Sequence, residues 1–245
     1  MLNLLNKDGE KILVRPAAVD EASLIADIYK HIAVTKDNYV SSLSHGEKSF
    51  ENCGGMFEIS NEEEIRQRIN DKNEQLSVGL YKEKITSMLW YGLWQKGVFE
   101  DLTVLDGEES YYEIFRDAAE RGKLGYSKEI ISLWIAPEKT MSFALFYDMM
   151  KDYAERGIKY TVGEVYLING YEDDAGYHES NLINKASYNF LVSTGGRHIG
   201  VTPQKKVCLK GFSVYKTPNI FIWDTEKSFK TIENILKKKG WGIEK

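Results

Sequence analysis

Residues 129–145 carry the pattern in this chain that is most readily tied to chemistry. They comprise an apolar strand, a turn at Pro137 and the first turn of a helix with an apolar face. The first N–H groups of a helix have no partner inside the helix, and they bind phosphate groups well. A phosphate-binding turn is therefore predicted here, formed by Lys139, Thr140, Met141 and Ser142.

Two glutamates in predicted strands are candidates for proton transfer. Glu129 begins the strand just described, and Glu164 lies between Gly163 and Val165 in the next predicted strand. Burial or a nearby like charge can raise a carboxyl pKa until the group works as a general base near neutral pH. The alternative for Glu129 is a solvated charge at a strand edge, and for Glu164 a place on the wet side of its strand.

Residues 169–183 are rich in acidic side chains, and His178 lies among them. Their spacing matches neither a calcium-binding EF-hand loop nor a helix with two zinc-binding histidines. We therefore predict a solvated acidic loop and no metal site. His31 and His198 are interpreted as structural or exposed, because neither belongs to a recognisable catalytic motif.

The composition limits the classes of partner. The chain has 245 residues, of which 42% are hydrophobic and 28% charged, as expected for a soluble globular protein. A net charge of −5 argues against nucleic-acid binding, and no apolar run is long enough for a membrane span. Cys53 and Cys208 are far apart in sequence and are expected to be reduced thiols. We expect a cytoplasmic protein that binds neither nucleic acid nor membrane.

Periodicity and turn residues predict alternating strands and helices. Strands are predicted at 12–15, 76–81, 85–94, 129–135, 160–168, 207–215 and 220–223. Helices are predicted after Asp20, after a Ser60/Glu63 capping box, from Tyr111 to Glu120, before Gly157, at 184–193 and, capped by Thr225, at 226–238. The predicted fold class is α/β (α+β), a mixed, mostly antiparallel central sheet flanked by helices, in a single domain over residues 1–245.

Four of these stretches, in this order, resemble the GCN5-related N-acetyltransferase superfamily. They are the strand and helix opened by residues 12–17, the hairpin at 76–94, the strand–turn–helix at 129–152 and the helix at 184–195. The resemblance implies an acyl-CoA N-acyltransferase-like fold. It also implies insertions at about residues 36–59, 96–127 and 169–183.

The resemblance implies transfer of an acyl group from acetyl-CoA, or another acyl-CoA, to an amine of a small molecule or peptide. Backbone groups around Leu133 and Ile135 would bond the pantetheine arm, and the turn at residues 139–142 would hold the pyrophosphate. Asn184 would help to order the cofactor side, although capping its helix is the simpler role. Glu129 or Glu164 would take the amine proton. No metal is implied, and a homodimer is left open.

Two positions depart from the family pattern. Thr140 and Ser142 stand where the family's pyrophosphate loop has small residues, mostly glycine, and their Cβ atoms could crowd a phosphate while their hydroxyls could donate to it. Leu191 stands where the family has the tyrosine that serves the leaving thiolate. The chain therefore resembles a divergent member with a degenerate pyrophosphate loop. The alternative is a non-catalytic binding or regulatory protein that has lost acetyl-CoA binding.

Overall fold

A computed structural model describes residues 1–35, 59–95, 101–132 and 140–244. The predicted loop at 36–59 lies almost wholly outside the described residues. The predicted cofactor-binding residues Leu133, Ile135 and Lys139 also lie outside them.

The described part of the chain contains twelve strands, six α-helices and a short 3-10 helix at Val19–Glu21. The strands are β1 Leu2–Asn6, β2 Lys11–Pro16, β3 Glu74–Tyr81, β4 Lys84–Leu93, β5 Thr103–Val104, β6 Leu124–Ser132, β7 Tyr160–Asp173, β8 Gly176–Ile183, β9 Arg197–Val201, β10 Lys205–Leu209, β11 Phe212–Asp224 and β12 Trp241–Glu244. The helices are α1 Ala22–Ile32, α2 Glu62–Ile69, α3 Glu109–Glu120, α4 Thr140–Glu155, α5 Lys185–Ser193 and α6 Thr225–Lys238.

The strands form one mixed sheet in the order β12-β1-β2-β3-β4-β6-β7-β11-β9-β5, with β8 added beside β7 and β10 beside β11. Strands β6 and β7 are parallel, and every other described pair is antiparallel. Helix α4 provides the crossover that a parallel pair requires. The predicted sheet type is confirmed.

Helices cover both faces of the sheet, because each strand of its centre carries apolar side chains on both sides. Helices α4 and α6 bury one face, where Phe146, Tyr153 and Trp223 are fully enclosed. The opposite face holds two separate apolar clusters. One lies under α1 and α2 around Trp90, and the other lies under α3 around Phe115.

The predicted acidic loop at 169–183 is wrong, because β7 continues to Asp173 and β8 returns from Gly176. Cross-strand pairing overrides the polar composition here. The ring of Tyr171 stacks on His178 across the hairpin at 4.5 Å. Two of the acidic side chains have basic partners: Glu172 binds Lys206 at 2.6 Å, and Asp173 lies 3.2 Å from His178.

Several predicted boundaries also move. Strand β6 begins at Leu124 rather than residue 129, and β11 runs unbroken through Pro218 where two strands were predicted. The caps of α2 and α6 are Asn61 and Asp224, each one residue before or after the predicted cap. Strands β1, β5, β8 and β12 were not predicted.

Candidate active site

Strands β6 and β7 separate part-way along their length. Their parallel pairing runs from Leu124 opposite Tyr160 to Ser127 opposite Gly163. Beyond that point β6 stays paired with β4, and β7 stays paired with β11. A fork therefore opens between the two strands, and it leaves backbone groups of β6 without a strand partner on the β7 side in the described part of the sheet.

A β-bulge in β6 lies at the mouth of this fork. Trp90 of β4 is opposite Glu129, and the next residue of β4 is opposite Ser127, so Lys128 is the extra residue. A bulge bends its strand and changes the direction of the following side chains. Lys128 forms an ion pair with Glu74 on β3. The bulge therefore sets which face Glu129 occupies.

The two predicted catalytic residues, Glu129 and Glu164, lie on opposite arms of the fork and on the same face of the sheet. Glu129 is opposite Trp90, which belongs to the cluster under α1 and α2. Glu164 is opposite Ile220, which belongs to the cluster under α3. Directly opposed residues point to the same side of a sheet. Both carboxylates therefore lie on the sheet face that carries these two apolar clusters.

Glu164 is held through one of its two carboxylate oxygens. Tyr166 donates to Oε1 at 2.5 Å, and Tyr126 donates to the same oxygen at 3.3 Å. Oε2 is buried and has no hydrogen-bond partner among the described residues. Burial, together with the negative charge of Glu164, raises the pKa of Tyr126, so this phenol keeps its hydrogen for the carboxylate.

Glu129 is bound from the opposite side by a helix. Tyr29 of α1 donates its phenol hydrogen to Oε2 of Glu129. Burial is the main cause of a raised Tyr29 pKa, and the charge of Glu129 raises it further. The guanidinium of Arg68 lies 3.8 Å from the ring centroid of Trp90, the cross-strand neighbour of Glu129. This arm of the fork therefore combines a carboxylate, a phenol and a cation.

Unpartnered polar atoms concentrate on this face. Among the described residues, four buried side-chain polar atoms have no hydrogen-bond partner, and three of them are Trp90 Nε1, Trp94 Nε1 and Glu164 Oε2. Trp90 and Trp94 pack into the clusters on either side of the fork. Buried polar groups without partners are costly, and a ligand can supply the missing bonds. The face therefore has the character of a binding site.

The predicted phosphate-binding residues lie in the first turn of α4, where the structure describes them. Thr140 is 4% exposed and Met141 is fully buried against Gly79 of β3, while Ser142 is half-buried. The side chains of Thr140 and Met141 therefore point into the protein. The backbone N–H groups of Met141 and Ser142 and the Ser142 hydroxyl lie in the turn that was predicted to meet an anion.

The remaining predictions concern Asn184, which caps helix α5, and Leu191 within that helix. The Asn184 side chain accepts a hydrogen bond from the Ser187 N–H at 3.0 Å, which confirms its role as a helix cap. Its role in ordering the cofactor side stays a prediction. Leu191 is buried in the core. A leucine side chain provides no hydroxyl at this position. The ring of Tyr188, three residues earlier, meets the ring of Phe221 edge-on at 5.4 Å.

The described ranges contain neither a metal-binding cluster nor a membrane-spanning helix. No group of three or more His, Cys, Asp or Glu side chains there is arranged to hold a metal ion. None of the helices in those ranges is both long enough and apolar enough to cross a membrane.

The sequence matches no protein-family model and no curated protein. Solved structures do match. An uncharacterised protein from Bacillus halodurans is 11% identical with a TM-score of 0.54, over 97% of this chain and 96% of the other. The ribosomal-protein-alanine N-acetyltransferase from Brucella melitensis is 13% identical with a TM-score of 0.52, over 86% of this chain and 99% of the other.

A Streptococcus mutans protein gives the same TM-score of 0.52 at 13% identity, over 87% of this chain and 99% of the other. The fold is that of the acyl-CoA N-acyltransferases. The predicted fold class is thereby confirmed. At these sequence identities the likeness shows the fold alone.

Three tyrosines of the site were missed in the sequence. Tyr166 could have been found, because it lies two positions after Glu164 and alternate residues of a strand share a face. Tyr29 and Tyr126 come from other elements, and their approach depends on helix packing and strand register. No local signal indicates either contact.

Proposed function

We propose that the protein is an N-acyltransferase that transfers an acyl group from acetyl-CoA, or another acyl-CoA, to an amine. The observation that carries this proposal is the fork between β6 and β7 with Glu129 and Glu164 on one of its faces. The fork provides a strand edge on β6, facing away from β4, for an extended, amide-containing ligand such as the pantetheine arm. The carboxylates provide a proton acceptor beside it.

Acyl-CoA enters this proposal as a co-substrate, and the described residues fit it in part. Beyond Ser127 the β7-facing edge of β6 has no described strand beside it, and an extended ligand such as the pantetheine arm can lie along that edge as a neighbouring strand would. The first N–H groups of α4, at Thr140, Met141 and Ser142, can meet the pyrophosphate. Leu133, Ile135 and Lys139 remain predicted cofactor contacts from the sequence.

The proposed reaction joins the amine nitrogen to the thioester carbonyl carbon and breaks the C–S bond. Only a neutral amine can attack, so an ammonium substrate must lose a proton first. Two protons leave the nitrogen in all: one ends on the CoA thiolate, and one passes to solvent through a carboxylate. Glu164 is the proposed base, because no described residue donates a hydrogen bond to its buried Oε2.

The likeness to the Brucella melitensis N-acetyltransferase supports acyl transfer at the level of the fold. The acceptor is proposed to be an amine of a small molecule or of a peptide. A cytoplasmic location and a homodimeric state are further proposals, which rest on the sequence alone. The alternative function, a non-catalytic binding or regulatory protein, is favoured by Leu191 and by the absence of glycine at Thr140 and Ser142.

Titration with CoA and acetyl-CoA tests the proposal directly. A ligand that binds only the native state raises its stability, by about 2.7 kcal/mol at a concentration one hundred times the Kd. We expect a higher melting temperature with acetyl-CoA, and no change with the matched control AMP, which lacks the pantetheine arm. Failure of millimolar acetyl-CoA to stabilise the protein would overturn the enzyme proposal and favour the alternative.

A further inference from the structure

We infer that Lys216 of β11 is a positioning residue for Glu164 and that it acts through the ring of Tyr166. This inference rests on the proposed function, in which Glu164 is the base. Lys216 is only 4% exposed, and a lysine is rarely buried so deeply unless its charge interacts with another group. The Nζ atom of Lys216 lies 4.0 Å from the centroid of the Tyr166 ring.

The register of β11 against β7 brings the three side chains to one face of the sheet. Lys216 is opposite Ile168, and Tyr166 and Glu164 are the next two residues on the same side of β7. Lys216 and Tyr166 are therefore diagonal neighbours across the two strands, at a separation that a long side chain can span. The backbone register thus holds the lysine beside the phenol.

The Tyr166 phenol connects the ammonium group to the carboxylate. A cation over the face of an aromatic ring is attracted by the negative charge of that face. The hydroxyl of the same ring donates to Oε1 of Glu164 at 2.5 Å. Interacting polar groups in such a chain polarise one another, so the ammonium group of Lys216 strengthens the hydrogen bond from Tyr166 and stabilises the ionised form of Glu164.

The surroundings of the three side chains are apolar, which increases the effect of one charge on another. On this face of β7, Val162 and Ile168 lie on either side of Glu164 and Tyr166 and belong to two different apolar clusters. Charges in such surroundings are screened less than charges at the surface. Apolar surroundings also favour protonation of a carboxylate, and a protonated Glu164 could not accept a proton from the amine. A fixed cation opposes this protonation.

The other charged and titratable groups around this network make contacts of their own. Arg68 stacks on Trp90, and Lys128 forms an ion pair with Glu74. Lys205 is opposite Lys216 on β10 and is exposed. The remaining groups on this face of the described sheet include Glu129 and the phenols of Tyr111, Tyr112, Tyr126, Tyr160 and Tyr171. Among the cations of the described residues, Lys216 is the one over the Tyr166 ring.

A second set of lysine, tyrosine and glutamate on the opposite face of the same strands provides a matched control. Lys206 lies 5.2 Å from the ring centroid of Tyr215, and the Tyr215 hydroxyl donates to Glu172 at 2.5 Å. The direct contact with Lys206, and then the hydrogen bond from Tyr215, lower the pKa of Glu172. Tyr215 immediately precedes Lys216, so the two side chains point to opposite sides of β11.

Lys216→Met tests the role of the charge, because methionine keeps an unbranched apolar chain and lacks the ammonium group. CoA release from acetyl-CoA is measured against pH with the fastest acceptor from a panel of primary amines. We expect the acid limb of kcat/KM to move upward by about half a pH unit or more, since protonation of Glu164 is no longer opposed. Lys216→Arg should restore the wild-type limb, and Lys206→Met should leave it unchanged.

Melting temperatures test the same link without turnover. They are compared for the wild-type protein, Lys216→Met, Glu164→Gln and the double variant. If the two charges interact through Tyr166, the loss in the double variant should be smaller than the sum of the two single losses. Lys206→Met combined with Glu164→Gln should give additive losses, because Lys206 lies on the other face.

The outcomes separate the inference from the function on which it rests. Turnover with an unchanged acid limb in Lys216→Met would overturn the positioning role and leave the acyltransferase proposal standing. Additive losses of melting temperature for Lys216→Met and Glu164→Gln would also overturn it. Absence of both acetyl-CoA binding and turnover in the wild-type protein would overturn the proposed function and the role of Lys216 with it. A shifted limb that Lys216→Arg restores would support both.

Discussion

Tyr166 donates its phenol hydrogen to Glu164 over 2.5 Å from two positions further along the same strand. The two residues share one face of β7, so the contact survives any movement between β6 and β7. Tyr126 reaches the same oxygen at 3.3 Å from the other arm of the fork. Glu164 is therefore fixed firmly by its own strand and more weakly by the neighbouring one.

Tyr166→Phe should impair catalysis more than Tyr126→Phe. A hydrogen bond to a charged group is worth about 1.5–3 kcal/mol, so loss of the shorter bond should lower kcat/KM by about tenfold or more. The longer bond of Tyr126 should matter less. Both variants keep the ring, and the melting temperature with acetyl-CoA provides the control for folding and co-substrate binding.

A double-mutant cycle distinguishes positioning from a general structural effect. If Tyr166 acts through Glu164, Tyr166→Phe should add little to the loss already caused by Glu164→Gln. Fully additive effects on kcat/KM would show that Tyr166 acts independently of the carboxylate, and the positioning role would be wrong.

Tyr153 joins α4 to the fork, and its hydroxyl should contribute to stability. It is fully buried, donates to the Gly92 carbonyl at 2.5 Å and accepts from the Tyr126 N–H at 3.1 Å. Tyr153→Phe leaves these backbone groups unpaired, so the free energy of unfolding should fall by about 1–3 kcal/mol. Chemical denaturation measures this change.

Tyr188→Phe is the matched control for Tyr153→Phe. Tyr188 lies on α5 with its ring against Phe221, and none of the described residues forms a hydrogen bond with its hydroxyl. Its substitution should change the free energy of unfolding by less than about 0.5 kcal/mol. Equal losses in the two variants would contradict a special role for the Tyr153 hydroxyl.

The sheet could be predicted from the sequence where local signals were sufficient. The β3–β4 hairpin was found because two apolar strands flank a polar turn, and the turn residues Lys82 and Glu83 both have positive φ, as a tight two-residue hairpin turn requires. The extension of β7 and β8 was missed. Its acidic composition suggested a loop, whereas pairing with β11 and the Tyr171–His178 stack determine the structure.

The site was predicted in part. Glu129 and Glu164 were identified as strand carboxylates, but their common face depends on the bulge at Lys128 and on the register of β6 against β7. Neither feature has a local sequence signal. The tyrosines that bind the two carboxylates follow from that same long-range geometry, so the network could not be assembled from spacing alone.

His198 should make the stability of the protein depend on pH below neutrality. Burial lowers the pKa of His198 from the ordinary 6.5, although the nearby Gly200 carbonyl and Glu108 act in the other direction. The imidazole ring stacks on Phe221 at 5.0 Å. As the pH falls through 6.5, the unfolded chain binds a proton before the folded chain does. The free energy of unfolding should therefore decrease below that pH.

Comparison with His198→Gln isolates this contribution. At pH 8 the imidazole is neutral in both states, so the difference between the two proteins reports packing alone. Between pH 7 and pH 5.5 the wild-type protein should lose stability relative to the variant. Parallel curves across this range, measured by urea denaturation, would show that His198 titrates equally in the folded and unfolded states.

Thr140 and Ser142, both in the first turn of α4, differ in how deeply they are buried, and the sequence alone could not show this difference. If the Cβ of Thr140 or Ser142 crowds the phosphate, replacement of that residue by glycine should tighten CoA binding. Thr140 is almost completely buried, so Thr140→Gly should mainly lower the melting temperature, since glycine costs about 1 kcal/mol in a helix even without the lost packing. Ser142 is only half-buried and remains the informative position.

Ser142→Gly and Ser142→Ala together show whether the Cβ of Ser142 hinders phosphate binding or its hydroxyl assists it. Glycine removes both the Cβ and the hydroxyl, whereas alanine removes the hydroxyl alone. If the Cβ crowds the ligand, isothermal titration should show a lower Kd for CoA in Ser142→Gly only. If the hydroxyl donates to the phosphate, both variants should bind more weakly. Tighter binding by Ser142→Ala would contradict both interpretations, because alanine keeps the Cβ and loses the donor.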